Sequence, residues 1–195
     1  MAKMVGSSPD FSLEVDGIKG LCPAGETWAN QDMAERKIPV FSCEGPCIRG
    51  KIARLAANMV AEEEPYARAC HAEAFFVPYS SMTRWMKEAD KTVVIDGCFL
   101  KCHGRILKNL VDEENMIHID ALPLHKKCGD LFLMDDVPEA ERKAVAREVA
   151  EKVLALLKEE IGTVRSNGKV GVRSWLHTPS GIESMAMRER SFRRR

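Results

Sequence analysis

The stretch TVVIDGCFLKCHG, residues 92–104, decides the fold of this chain. Its first five residues form a continuous, largely β-branched run, which is typical of a strand buried on both faces of a parallel sheet. Asp96 and Gly97 end the run, and glycine lets the backbone turn tightly. Two cysteines and a histidine follow at once. We therefore expect a central strand, a tight turn and a helix start, with thiols at the junction.

Strands and helices alternate on both sides of this stretch. Residues 38–42 (IPVFS) and 116–120 (MIHID) predict two further strands, and a fourth lies somewhere within residues 66–80. Apolar residues at three-and-four spacing predict helices between them. The last helix begins near Pro138 and Glu139, and its apolar stripe is Val145, Val149, Val153 and Leu156. This alternation predicts a three-layer α/β fold of flavodoxin or Rossmann type: a mainly parallel, four-stranded sheet with helices on both faces.

The chain divides into three parts by composition. Residues 1–37 hold glycine, proline and polar clusters and predict an irregular arm, whereas residues 38–161 hold the alternating elements and form the domain. Residues 162–195 are rich in turn signals and end in the basic run RERSFRRR. We interpret them as an extension with a solvated basic tail.

Charge and hydropathy exclude several classes of protein. Lysine plus arginine equal aspartate plus glutamate at 29 each, which disfavours a nucleic-acid binder acting through bulk charge. The start of the chain lacks the apolar run of a signal peptide, and no stretch has the ~18 apolar residues needed to span a membrane. We therefore predict a cytoplasmic protein. Seven cysteines in a reducing compartment are better explained by metal or thiol chemistry than by disulfides.

Two strand-to-helix junctions carry the same thiol pattern. Cys43 and Cys47 follow the strand at 38–42, and Cys98 and Cys102 follow the strand at 92–96. In open α/β sheets, ligands lie beyond the carboxyl ends of the strands where the strand order reverses. Neighbouring strands lie ~4.8 Å apart, which suits thiolates around a zinc ion at ~2.3 Å each. A metal site, a reactive thiol and buried structural cysteines all remain compatible with this spacing.

The ordered cysteines around VIDGC resemble the DGC-domain family, which is named for the motif Asp96-Gly97-Cys98. The resemblance spans roughly Pro39 to Ile161. It implies a zinc-binding protein, and the implied ligands are Cys43, Cys70, Cys98 and Cys102. Cys47, His103 and Cys128 are alternates for one place in that set. Thiolates also suit iron or an iron–sulfur cluster, and nothing in the pattern says whether the protein is an enzyme.

Whether Cys70 can be a ligand depends on where the second strand lies. If residues 66–70 (YARAC) hold the strand, Cys70 lies at its carboxyl end beside the other thiols. If residues 74–79 hold it instead, Cys70 falls at the far end of the sheet.

An enzymatic alternative comes from residues 43–49, CEGPCIR. This Cys-x5-Arg pattern resembles the phosphate loop of low-molecular-weight phosphatases and arsenate reductases. Cys43 would be the nucleophile and Arg49 would clamp the oxyanion. Against it, Gly50 follows the arginine where those loops have serine or threonine, and Pro46 removes one loop amide.

The remaining polar residues have simpler predicted roles. Asp96 is expected to cap the following turn, or to serve as a hydrogen-bond acceptor or proton carrier behind the metal ligands. His125 is expected to be a solvated loop histidine. A redox sensor is a third class of function: release of the metal would let Cys98 and Cys102 form a disulfide.

Overall fold

The computed structural model describes residues 10–125, 127 and 132–166, with side chains to residue 161. Ten regular elements follow one another along these described residues: α1 (Pro23–Ala34), β1 (Ile38–Ser42), α2 (Ile48–Val60), β2 (Tyr66–Arg68), α3 (His71–Phe76), α4 (Ser81–Glu88), β3 (Thr92–Asp96), α5 (Cys102–Leu107), β4 (Met116–Asp120) and α6 (Glu139–Ser166). Short 3-10 turns lie at Glu113–Asn115, Leu122–Leu124 and Met134–Asp136.

The four strands form one parallel sheet in the order β2-β1-β3-β4. Ser42 of β1 pairs with Ile95 of β3, and Asp96 of β3 pairs with Asp120 of β4. The predicted fold class is therefore confirmed. The strand order reverses between β1 and β3, so the two cysteine-bearing junctions flank the switch point.

Side chains of the central strands alternate between two apolar cores. Val40, Val93 and Ile95 face one side, where they pack with the buried faces of α2 and α6. Phe41 and Val94 face the other side, together with α1, α4 and α5. Successive residues of these strands face opposite sides of the sheet, and apolar cores cover both sides. Both faces are therefore buried, as the β-branched run at 92–95 predicts.

Two expectations from the sequence are wrong in detail. The arm at residues 1–37 is not irregular throughout, because α1 occupies Pro23–Ala34. Few residues of α1 are buried, so the helix lacks the apolar stripe that sequence patterns reveal. On α6, Leu157 is buried whereas Leu156 is exposed, so the stripe continues from Val153 by four residues rather than three.

The ends of the predicted domain stay predictions. Helix α6 runs through the expected boundary at residue 161 and is described as far as Ser166, and the rest of the C-terminal extension lies outside the described residues. Within the described part of the chain, no helix combines the length and the apolar character needed to cross a membrane.

Candidate metal centre

The carboxyl rim of the sheet brings the two junctions together. Cys43 directly follows β1, and its amide donates a hydrogen bond to the carbonyl of Ile95 in β3 (2.9 Å). Asp96 is the last residue of β3, and its carbonyl accepts from the amide of Ala121 after β4 (2.7 Å). The ends of three strands are thus fixed side by side at this rim.

Gly97 has to be a glycine because it lies where the two strand-to-helix junctions touch. A Cβ on Gly97 would lie 2.5 Å from the carbonyl oxygen of Arg49 and 2.9 Å from the amide nitrogen of Gly50. Both contacts are with backbone atoms at the start of α2, and backbone gives way far less easily than a flexible side chain. The Asp-Gly-Cys motif therefore needs its glycine so that the loop after β3 can pack against the first turn of α2.

Three side chains converge inside this rim: Cys43 from the end of β1, Asp96 from the end of β3 and His103 from the first turn of α5. One ligand atom of each lies within 4.8 Å of the other two. Across the described part of the chain, this is the only such group of three or more cysteine, histidine or acidic residues. Thiolate, carboxylate and imidazole are all ligands that zinc accepts.

The thiol of Cys43 is buried, with 9% of the residue exposed. Burial raises the pKa of this thiol, and nearby Asp96 raises it further. Hydrogen bonds from the backbone amides of Gly45 and Gly97 act in the opposite direction but do not outweigh burial. Cys43 therefore favours the neutral thiol unless a cation lies beside it.

Asp96 is a buried carboxylate held by three hydrogen bonds, with only 1% of the residue exposed. Its Oδ2 accepts from the amide of Gly104 (2.8 Å) and pairs with Nε2 of His118 (3.0 Å), while Oδ1 accepts from the amide of His103 (3.2 Å). Burial alone would raise the pKa of Asp96. The hydrogen bonds from His118, Gly104 and His103 outweigh burial and hold the pKa below its usual value. The group therefore carries a negative charge in the interior.

His103 presents a buried nitrogen to this carboxylate. Its Nδ1 lies 3.9 Å from Oδ1 of Asp96 and has no hydrogen-bond partner among the described residues. Burial lowers the pKa of His103, although Asp96 opposes the shift, so the ring favours the neutral form that binds metals. The rings of His71 and Phe75 lie beside it, with centroids 4.9 and 5.9 Å away.

An unpartnered buried nitrogen costs free energy unless something binds it. Here it faces the buried carboxylate of Asp96. His103, Asp96 and Cys43 together supply the nitrogen, oxygen and sulfur donors of a divalent transition-metal site. The residues present therefore fit a metal ion.

The four predicted thiol ligands all follow strand ends at this rim, but the cluster of three contains only one of them. Cys70 lies just after β2, which ends at Arg68, so the strand lies where Cys70 needs it. Cys70 and Cys102 are exposed, and Cys98 is half-buried. The set Cys43, Cys70, Cys98 and Cys102 stays a prediction.

The alternates are placed differently. His103 belongs to the cluster of three. Cys47 lies at the N-cap of α2, where its Sγ accepts from the amide of Gly50 (3.5 Å). Cys128 lies outside the described residues.

Sequence reasoning missed two histidines and misplaced a third. His118, in the middle of β4, and His71, directly after Cys70, were not singled out, although a histidine inside a strand next to a buried aspartate is a usable signal. His125, expected to be solvated, is buried, and its Nδ1 pairs with the carbonyl of Lys127. Asp96 was expected to cap the following turn or to lie behind the ligands. It does accept hydrogen bonds from the amides of His103 and Gly104 at the start of α5, and its carboxylate also belongs to the cluster itself.

The loop of the enzymatic alternative, residues 43–49, uses several of its amides inside the protein. The amide of Gly45 donates to the sulfur of Cys43, and that of Ile48 donates to the carbonyl of Phe132 (3.1 Å). Pro46 has no amide hydrogen. An anion at Cys43 would find fewer free donors than a phosphate loop offers, and the raised pKa of Cys43 disfavours the thiolate nucleophile.

Comparison with known proteins adds a family. The DGC domain matches residues 39–153, which is more than half of the chain and includes Cys43, Asp96 and His103. Searches of curated proteins and of solved structures found no significant match.

Proposed function

Because the chain belongs to the DGC domain family, and because it buries a thiol, a carboxylate and an imidazole together, we propose that it is a metal-binding protein. The proposed centre lies on Cys43, Asp96 and His103. The observation that carries the proposal is Nδ1 of His103, a buried nitrogen that has no hydrogen-bond partner in the described part of the chain and lies beside a charged carboxylate.

Zinc is the metal that we propose. It is borderline-soft and accepts sulfur, nitrogen and oxygen donors in one tetrahedral site. Iron is the second choice, and an iron–sulfur cluster is favoured less because such clusters are held mainly by cysteine thiolates. When bound, the ion would supply a positive charge that favours the thiolate of Cys43 and polarises any further ligand.

The chain's own residues prepare the site for that charge. Amides of Gly45 and Gly97 point at the sulfur of Cys43 and favour its thiolate form. Amides at the start of α5 hold the carboxylate of Asp96. Three protein ligands leave a fourth tetrahedral position, for which Cys70, Cys98 and Cys102 are the proposed thiol candidates. A thiol in that position closes the site, whereas a water there keeps it open for catalysis.

The metal ion is the proposed partner, and the cytoplasm is the proposed compartment. All six cysteines in the described part of the chain are free thiols, as expected where thiols stay reduced.

Metal analysis of the full-length protein, purified without an affinity tag, tests the proposal. We expect about one zinc per chain. Cys43→Ser and His103→Gln should lose most of it, because each removes a ligand atom from the cluster. Cys22→Ser is the matched control, since Cys22 is exposed at the N-cap of α1 and serine is itself a good N-cap.

Serine variants of the other thiols separate the possible ligand sets. If Cys70, Cys98 and Cys102 complete a four-thiolate site, each variant should weaken binding as strongly as Cys43→Ser. The near-ultraviolet thiolate-to-cobalt absorption of the Co²⁺ form should then report four thiolates rather than one or two. Absence of metal, with Cys43 alkylated rapidly at neutral pH and protected by phosphate or arsenate, would overturn the proposal in favour of the enzymatic alternative.

A further inference from the structure

Asp96 uses its two oxygens differently. Oδ2 accepts two hydrogen bonds, from the amide of Gly104 and from Nε2 of His118. A carboxylate oxygen has about two lone-pair sites, so both sites of Oδ2 are occupied. Among the described residues, Oδ1 accepts only the longer bond from the amide of His103 and so keeps one lone pair. Oδ1 is also the oxygen 3.9 Å from Nδ1 of His103.

His118 comes from a separate element, at the centre of β4. The register pairs His118 with Val94, two residues before Asp96, which sets His118 diagonally across from the carboxylate. An ionised carboxylate can only accept, so the imidazole donates from Nε2. The side chain keeps 21% of its surface exposed, so its ring lies between solvent and the buried carboxylate.

Gly104 leaves the space that this contact needs. A Cβ at this position would lie 2.6 Å from Cε1 and Nε2 of His118 and 2.9 Å from Oδ2 of Asp96. Any side chain on α5 here would displace the imidazole or the carboxylate. The helix, the strand end and the ring therefore fit together around one oxygen.

We propose that His118 is a positioning residue of the metal centre: its Nε2–H holds Oδ2 of Asp96 and so presents Oδ1 to the metal beside Cys43 and His103. The inference rests on the proposed function and adds a residue that is not in the cluster of three. A carboxylate fixed at one oxygen loses little conformational freedom when its other oxygen binds an ion. Hydrogen-bond partners behind metal ligands typically contribute 10- to 100-fold in metal affinity.

Two amide substitutions test this role as a matched pair. In the His118→Gln variant, the side-chain amide nitrogen can occupy nearly the place of Nε2. In the His118→Asn variant, the side chain is too short for its amide nitrogen to reach Asp96. We expect His118→Asn to weaken Zn²⁺ binding about 10- to 100-fold and His118→Gln to restore most of the affinity. The affinity is measured on the full chain by competition with a chromophoric chelator. His118→Phe is a second variant without a donor, in case the asparagine variant does not fold.

Two further readouts separate positioning from general stability. The visible bands of the Co²⁺ form should shift in His118→Asn, because the carboxylate no longer holds its place. Urea unfolding of the metal-free variants shows whether they are folded. Lower stability of the metal-free protein, with unchanged affinity and unchanged cobalt bands, overturns the inference.

Asp96→Asn distinguishes failure of the inference from failure of the proposed function. If the wild-type protein binds no metal, both fail. If it binds metal and Asp96→Asn binds equally well, Asp96 is not a ligand. The inference and the place of Asp96 in the proposed centre then both fail, and the metal-binding function stands. If Asp96→Asn weakens binding but His118→Asn does not, the inference also fails, and the metal-binding function stands.

Discussion

Gly97 lies where the loop after β3 touches the first turn of α2, and its lack of a side chain sets how closely they approach. The atoms that a Cβ would meet are the carbonyl of Arg49 and the amide of Gly50, at 2.5 and 2.9 Å. We expect Gly97→Ala to lower the free energy of unfolding by about 1–3 kcal/mol, because the first turn of α2 must move. Urea denaturation of the metal-free protein measures the effect.

Gly17→Ala is the control for this prediction. No atom lies within 4 Å of a Cβ built at Gly17, so the free energy of unfolding should change by no more than about 0.5 kcal/mol. Equal stability of Gly97→Ala and the wild-type protein would contradict the contact between the loop after β3 and the first turn of α2.

Helix α6 provides a test with two adjacent leucines. Leu157 is fully buried in the core between α2, α6 and the sheet, whereas Leu156 is 41% exposed. Leu157→Ala should lower the free energy of unfolding by about 2–5 kcal/mol, because it removes apolar contacts and leaves a cavity. Leu156→Ala should cost much less. Urea denaturation of both variants shows which leucine belongs to the apolar stripe of α6. A larger loss of unfolding free energy for Leu156→Ala than for Leu157→Ala would contradict the packing of α6.

Helices α1 and α4 are joined by a carboxylate. Glu26 of α1 accepts hydrogen bonds from the amide and the hydroxyl of Ser81 at the start of α4 (2.7 and 2.6 Å). The side-chain bond from Ser81 and then the backbone bond lower the pKa of Glu26. The stabilisation is therefore complete above the unfolded-state pKa of about 4.3, and is lost as the pH falls through the lower folded-state value.

Glu26→Gln should accordingly lower stability at neutral pH, and its difference from wild type should shrink in acid. Urea midpoints at neutral pH and below pH ~4 measure this change. Glu62→Gln, at an exposed position after α2, should show little difference at either pH. A difference between Glu26→Gln and wild type that grows in acid would contradict the assigned contact.

Sequence patterns predicted those elements whose signals are local. The strand at 92–96 is a continuous run of strand-forming residues and was predicted at its observed bounds. The helix at 48–60 has a clear apolar face, and a helix was predicted between the strands on either side of it. Helix α1 was missed because polar contacts such as Glu26 with Ser81 hold it, and these come from a distant part of the sequence.

The candidate site was likewise predictable where its signals are local and unpredictable where it depends on contacts between distant residues. Cysteine spacing predicted which junctions meet, because parallel strands end at one edge of the sheet. Spacing could not predict that the buried carboxylate of Asp96 would join Cys43, because that depends on side-chain depth. The contact between Asp96 and His118 depends on the register of β3 with β4, which a single sequence does not specify.

In the described part of the chain, two apolar cores cover the faces of the sheet, and Cys43 is the only proposed ligand that belongs to either of them. We therefore expect the chelator-treated protein to stay folded, with a native far-ultraviolet circular dichroism spectrum. Zinc at 100-fold above its Kd should add about 2.7 kcal/mol to the free energy of unfolding. For a chain of this size that raises Tm by about 5–10 °C.

This prediction is checked by thermal unfolding with zinc, after chelation, and with zinc restored. The stabilisation should vanish in Cys43→Ser and persist in Cys22→Ser, because only Cys43 belongs to the cluster. An unfolded spectrum after chelation would mean that the metal is needed to build the sheet itself. Equal Tm values with and without zinc would contradict a site that joins two strand ends, since a ligand that binds only the folded state must stabilise it.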